Sequence, residues 1–171
     1  GSLVLDHVNR VAYAVPSPRT YVSLVREWAR LMDYEPMLFD AATPDGTPVY
    51  HTNVVLWIGT RAAGAGLVWV PPAQQAALRA RLAQAGRAVI KLDGRQLMDF
   101  AGNMLGLVNA RGETHLVMSA RAAASLDDSQ QAMLRDAGIR SLVADIPVIE
   151  TLGGGSVRCM MAEVPGVAGG T

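Results

Sequence analysis

The chain has 171 residues, which suits one domain. Half of them are hydrophobic, enough to build a core. The formal net charge is zero, which argues against a nucleic-acid or membrane-surface partner recruited by charge.

The single cysteine excludes an internal disulfide, and with only three histidines beside it a structural zinc site is not expected. No apolar run approaches the roughly 20 residues of a membrane span, and no leader peptide is visible. A soluble, cytoplasmic globular protein is the resulting expectation.

Val4, Val54 and Met104 stand at a constant spacing of 50 residues, and each lies in a short apolar run. The runs are LVLD from Leu3, VVLWIGT from Val54 and MLGLV from Met104. Each turns into a second predicted strand: VAYAV from Val11, GLVWV from Gly66 and HLVMS from His115. A helix follows in every unit. The first is predicted from Pro18 to Met32, with Ser17 as its N-cap. The second starts at Pro72 and stops at Gly86. The third starts at Ser125, with a capping box to Asp128, and stops at Gly138. A last strand closes each unit: PMLFD from Pro36, AVIKLD from Ala88 and SLVADI from Ser141.

The pattern is therefore an α/β chain of ββαβ modules over about 3–53, 54–103 and 104–152, plus a closing strand over 156–164. Repetition at a fixed period implies units that bury each other's faces. The last seven residues, Pro165 to Thr171, read as a disordered tail.

Cys159 follows Gly153, Gly154 and Gly155, which would let a backbone turn sharply or a ligand approach. Within a strand it shares a face with Val157 and Met161. It is then either an inert buried cysteine or a nucleophile, with Arg158 beside it to hold a thiolate. A nucleophile calls for a histidine partner. His115 lies among apolar strand residues and His7 beside a turn, whereas His51 lies just ahead of the second unit's first strand, where catalytic groups are often found. Asn103 has the equivalent place ahead of the third unit, as a turn residue or a functional one. Arg19 stands at a predicted helix start, where the dipole gives a cation no benefit, and points to an anionic partner such as a substrate carboxylate. Glu150 is expected to be structural.

The segments LVLDxxNRVAYAxxSPRT, PVYHTNV, FAGNML, LVMS and GGGSVRCMMAEV together resemble the C-terminal part of the arginine deiminase-related, amidinotransferase-like hydrolases, nearest to the citrulline-utilisation branch. The resemblance extends to Val164. It implies the pentein fold, a five-bladed α/β propeller, of which about three blades are present. Position by position, Cys159 matches the nucleophile, His51 the catalytic histidine and Arg19 the carboxylate-binding arginine of a SERT motif. Asn53 stands where arginine deiminases carry Asp. An asparagine offers a donor and an acceptor to a neutral ureido group, against which a buried carboxylate would be poorly paired. The acidic residues of the family's N-terminal part have no match here.

The resemblance implies a hydrolase, needing no cofactor or metal, that converts citrulline to ornithine, ammonia and carbon dioxide, with Cys159 and His51 catalytic and Arg19 and Asn53 binding substrate; Asn103 and Arg158 join the substrate-binding set from their own places in the sequence. Arginine deimination or amidino transfer is the alternative within the class; a non-catalytic assembly partner is the alternative outside it. The isolated chain is expected to lack activity, and to pair with a missing N-terminal half or with copies of itself.

Overall fold

The structure, a computed structural model, describes residues 1–162. The first unit holds β1 (Leu3–Asp6), β2 (Val11–Ala14), α1 (Val22–Met32) and β3 (Glu35–Leu38). The second holds β4 (Leu56–Ile58), β5 (Ala62–Ala65), α2 (Pro72–Leu82) and β6 (Ala88–Lys91), followed by a short α3 (Gly94–Met98). The third holds β7 (Leu105–Val108), β8 (Thr114–Ser119), α4 (Ala120–Ser125), α5 (Asp128–Asp136) and β9 (Ile139–Ala144), followed by α6 (Pro147–Gly153).

Each unit forms its own three-stranded sheet with the second strand in the middle. The first pair is antiparallel and the second pair parallel. The helix carries the chain back so that the third strand can run parallel to the second. Middle strands are therefore covered on both faces, and β2 and β5 are buried throughout. First strands face one another across a common centre: β1 touches β4, and β4 touches β7.

Several boundaries differ from the sequence reading. α1 begins at Val22, because Ser17 and Thr20 pair across a tight turn that consumes Pro18 and Arg19. In the second unit the middle strand is Ala62–Ala65, not the run from Gly66; Gly66 N–H donates to the Val55 carbonyl, and Leu67–Trp69 folds as a 3-10 turn. α5 is capped by Asp127, whose side chain accepts from Gln130 N–H while Gln130 reaches back, so the capping box lies two residues beyond Ser125. Ser125 ends α4 instead.

The strand expected over 156–164 is absent over its described part. Val157–Met160 is a 3-10 turn, and no strand pairs with it among the described residues. Buried Ser156 explains this: its hydroxyl donates to Glu150 Oε1 at 2.6 Å and ties the chain back onto α6. The tail 165–171 lies outside the described residues.

Candidate active site

The site is built where the chain enters successive units. Ahead of β4, Thr52 is fully buried; its hydroxyl donates to the Ser2 carbonyl at 2.6 Å and accepts from Val15 N–H at 2.8 Å. These bonds fix the 3-10 turn Thr52–Val54 and aim Asn53 inward. Ahead of β7, Asn103 Nδ2 donates to the Asn53 carbonyl at 3.1 Å. Between them Gly102 meets the second unit: a Cβ there would stand 2.0 Å from the Val54 carbonyl oxygen. Gly102→Ala should therefore destabilise the chain by roughly 1–3 kcal/mol through forced backbone movement, read as a lowered denaturation midpoint.

Cys159 is exposed at this end of the molecule. Its Sγ accepts from Asn103 Nδ2 at 3.3 Å and lies 3.6 Å from Asn53 Nδ2. Both asparagines are buried, and both leave their side-chain oxygens without a partner. A ligand in this corner would thus meet a sulfur and two amide acceptors. The cavity that Cys159 lines is about 280 Å³. Its walls are apolar, from Trp69, Leu97, Met98 and Phe100, and its lining residues include no charged side chain. Gly154 and Gly155 form the rim, and Gly154 takes a left-handed φ of +65° that ends α6.

His51 caps the turn that carries Asn53. Its ring packs on Tyr50 at 4.8 Å, and Tyr50 hydroxyl reaches the Gly154 carbonyl at 3.4 Å. Burial first, and the nearby Arg19 guanidinium with it, hold the imidazole below its ordinary value. His51 does not hydrogen-bond Cys159, and it does not line the cavity that Tyr50 and Asn53 line.

Two predicted residues are placed differently from expectation. Arg19 is exposed in the turn ahead of α1 rather than at its start, close enough to His51 to depress it. Arg158 lines a second cavity, between β1, β4 and β7, not the one beside Cys159. The turn also separates Cys159 from Val157: Val157 is buried while Cys159 faces outward, so they do not share a face. The apolar walls were not anticipated, because Trp69 and Phe100 arrive from two loops whose meeting no local pattern announces.

Among the described residues no three His, Cys, Asp or Glu side chains are grouped to hold a metal, and no helix is long and apolar enough to cross a membrane.

Three β-β-α-β sheets around a common centre, with first strands innermost, define a segment of a pentein-type propeller. A model of the family described as N,N dimethylarginine dimethylhydrolase, eukaryotic, matches residues 1–165, and the chain belongs to this family. No curated protein matches it. Among solved structures, apo ArgZ, an arginine dihydrolase from the ornithine-ammonia cycle in cyanobacteria, is similar over 94% of this chain and 23% of its own, at 15% identity and TM-score 0.71. An AgrE mutant in binary complex with L-arginine is similar over 94% of this chain and 22% of its own, at 15% identity and TM-score 0.72. SxtG, an amidinotransferase from Microseira wollei in the saxitoxin pathway, is similar over 92% and 42%, at 13% identity and TM-score 0.59. Measured against the N-terminal domain of ArgZ bound to product, the chain spans 53% of that domain. At these identities the likeness is one of fold.

Proposed function

We propose that the chain carries the nucleophile-bearing part of a cysteine-dependent hydrolase of a ureido or guanidino amino acid, with citrulline as preferred substrate. One observation carries the reading: Cys159 opens on an apolar cavity with the neutral amides of Asn53 and Asn103 at its sulfur. Their free side-chain oxygens suit the N–H groups of a planar ureido end, and no carboxylate in the lining favours a cation.

His51 and Cys159 are not hydrogen-bonded in the free chain; in this reading the closed site of the complete protein brings them together, His51, held toward its neutral form, takes the thiol proton, and the thiolate so formed adds to the ureido carbon. The tetrahedral adduct collapses and His51 returns the proton to the departing nitrogen, which leaves as ammonia. His51 next takes a proton from water. The hydroxide adds to the thioester-like carbon and the sulfur is expelled. The resulting carbamate breaks down to ornithine and carbon dioxide. Arg19 supplies the cation for the substrate's carboxylate, and Arg158 lies on the far side of the cysteine. The complete protein has a closed propeller in this reading, and the residues beyond this chain contribute the remaining contacts.

Arginine is the second reading, favoured by the arginine named in the AgrE complex and by the arginine dihydrolase activity named for ArgZ. Assay of both substrates with the complete protein separates them. Citrulline should be turned over faster, and Asn53→Asp should reduce citrulline hydrolysis about 10-fold or more, because Asn53 is buried and a carboxylate there would lack a cation. A wild-type preference for arginine would overturn the substrate assignment.

A further inference from the structure

α3 ends in a Schellman arrangement. Phe100 N–H donates to the Leu97 carbonyl at 3.2 Å, and Ala101 N–H donates to the Gln96 carbonyl at 2.8 Å. Such an end needs one left-handed residue, and glycine is its usual occupant. α5 and α6 end on left-handed glycines, Gly138 and Gly154, each with φ of +65°. At the end of α3 the residue is Phe100, with φ of +63°. The other non-glycine residues with positive φ among those described, Arg10 and Asp33, lie in exposed turns.

A bulky side chain in the left-handed region costs free energy that glycine would avoid, and such residues cluster where the side chain is used. The half-buried Phe100 ring lines the cavity onto which Cys159 opens. Arg121, on α4 of the third unit, lies over that ring with its Cζ 5.5 Å from the centroid. Arg121 is itself held in place, since its Nε donates to Asp99 Oδ1 at 2.8 Å. The turn that begins at Phe100 also carries Asn103. Its N–H donates to the Phe100 carbonyl at 2.8 Å, and its side-chain amide holds the Cys159 sulfur. Ring, amide and sulfur are thereby tied into one unit.

We propose that Phe100 is a specificity-determining residue, the flat wall on which the planar end of the substrate stacks while its carbon faces Cys159 Sγ. A glycine would give the same helix end and leave no wall. The proposal rests on the function given above, but it is indifferent to the choice between citrulline and arginine, because ureido and guanidino groups are both planar and both stack on an aromatic face.

Three substitutions in the complete protein test this. Phe100→Gly keeps the left-handed turn, and Asn103 with it, but removes the wall. Phe100→Ala removes the wall and keeps the backbone conflict. Phe100→Tyr keeps the ring. With citrulline and arginine both assayed, Phe100→Gly should raise KM for the substrate turned over by about 10-fold or more and lower kcat far less. Phe100→Tyr should hold KM within about 3-fold of the wild type. Alkylation of Cys159 by iodoacetamide, followed by peptide mass mapping, should stay within about 2-fold of the wild-type rate in Phe100→Gly, because the amide at the sulfur is kept. In urea, Phe100→Gly should unfold at a higher concentration than Phe100→Ala, since only glycine relieves the backbone. An unchanged KM in Phe100→Gly, an alkylation rate that falls in step with its turnover, or an alanine variant at least as stable as the glycine one would overturn the proposal alone. Turnover of neither substrate by the wild type would overturn the function beneath it, and the proposal as well.

Discussion

Replacing Cys159 by alanine in the complete protein should lower citrulline hydrolysis by about 10⁴-fold or more, while leaving the fold intact. Removing a nucleophile deletes the covalent route altogether, and losses of this size are typical when such a group is lost. The side chain is exposed, and its contacts are two amide N–H groups on its sulfur. Its loss should therefore change folding free energy by no more than about 0.5 kcal/mol. Steady-state rates and denaturation midpoints separate the two effects. Mass spectrometry after rapid acid quench adds a direct test, since the acylated enzyme should be heavier and the extra mass should map to Cys159. Residual activity above about one percent in the alanine variant would exclude Cys159 as the nucleophile.

Much of the architecture was visible in the sequence because each unit repeats a complete local pattern. A hairpin, a capped helix and a closing strand recur at nearly constant spacing, and each is set by contacts within about 35 residues. Where the reading failed, a distant contact decided the outcome. The run Ala62–Ala65 is poor in β-formers, yet it is the middle strand of its sheet. Small residues are needed there: a Cβ on Gly64 would stand 2.1 Å from the Trp57 indole nitrogen. The run GLVWV looks more strand-like but lies beyond the point where Gly66 bonds Val55. Likewise SVRCMMAEV reads as a strand until Ser156 is seen bonded to Glu150.

The same division holds for the site. Asn53 could be singled out because it stands where arginine deiminases carry Asp, and Asn103 because it lies just ahead of the third unit; the fold makes these entry points converge. Cys159 could be singled out as the only cysteine behind a glycine run. Its cavity could not, because Trp69 and Phe100 belong to loops of different origin.

The second large effect should come from the joint between the first two units, where Asp6 and Arg87 are buried together. Arg87 grips the carboxylate with two bonds of 2.8 and 3.0 Å, and both side chains are almost wholly enclosed. Arg87 also donates to the Gly59 carbonyl at 2.9 Å and to the Leu82 carbonyl at 3.3 Å. Asp6 in turn accepts from Val8 N–H, Asn9 N–H and Asn9 Nδ2, closing the turn between β1 and β2. Arg87 is the one cation bonded to the buried Asp6 carboxylate, so Arg87→Met should destabilise the chain by about 3–5 kcal/mol. Asp6→Asn/Arg87→Met should cost less than the sum of the two single changes, because the residues act as one unit. Burial pushes the Asp6 carboxyl up, but its bonds from Arg87 and Asn9 pull harder, leaving it below the ordinary carboxylate range. A group depressed on folding stabilises above its unfolded value, near pH 4, and that contribution disappears as the pH falls through the lower folded value. Urea denaturation at pH 7 and again near pH 3 should show the wild type losing stability in acid and Arg87→Met losing less. A cost below about 1 kcal/mol for Arg87→Met at pH 7, or an unchanged acid response, would mean that water reaches this joint and that the apolar contacts around Val11 and Leu82 hold the two units together without it.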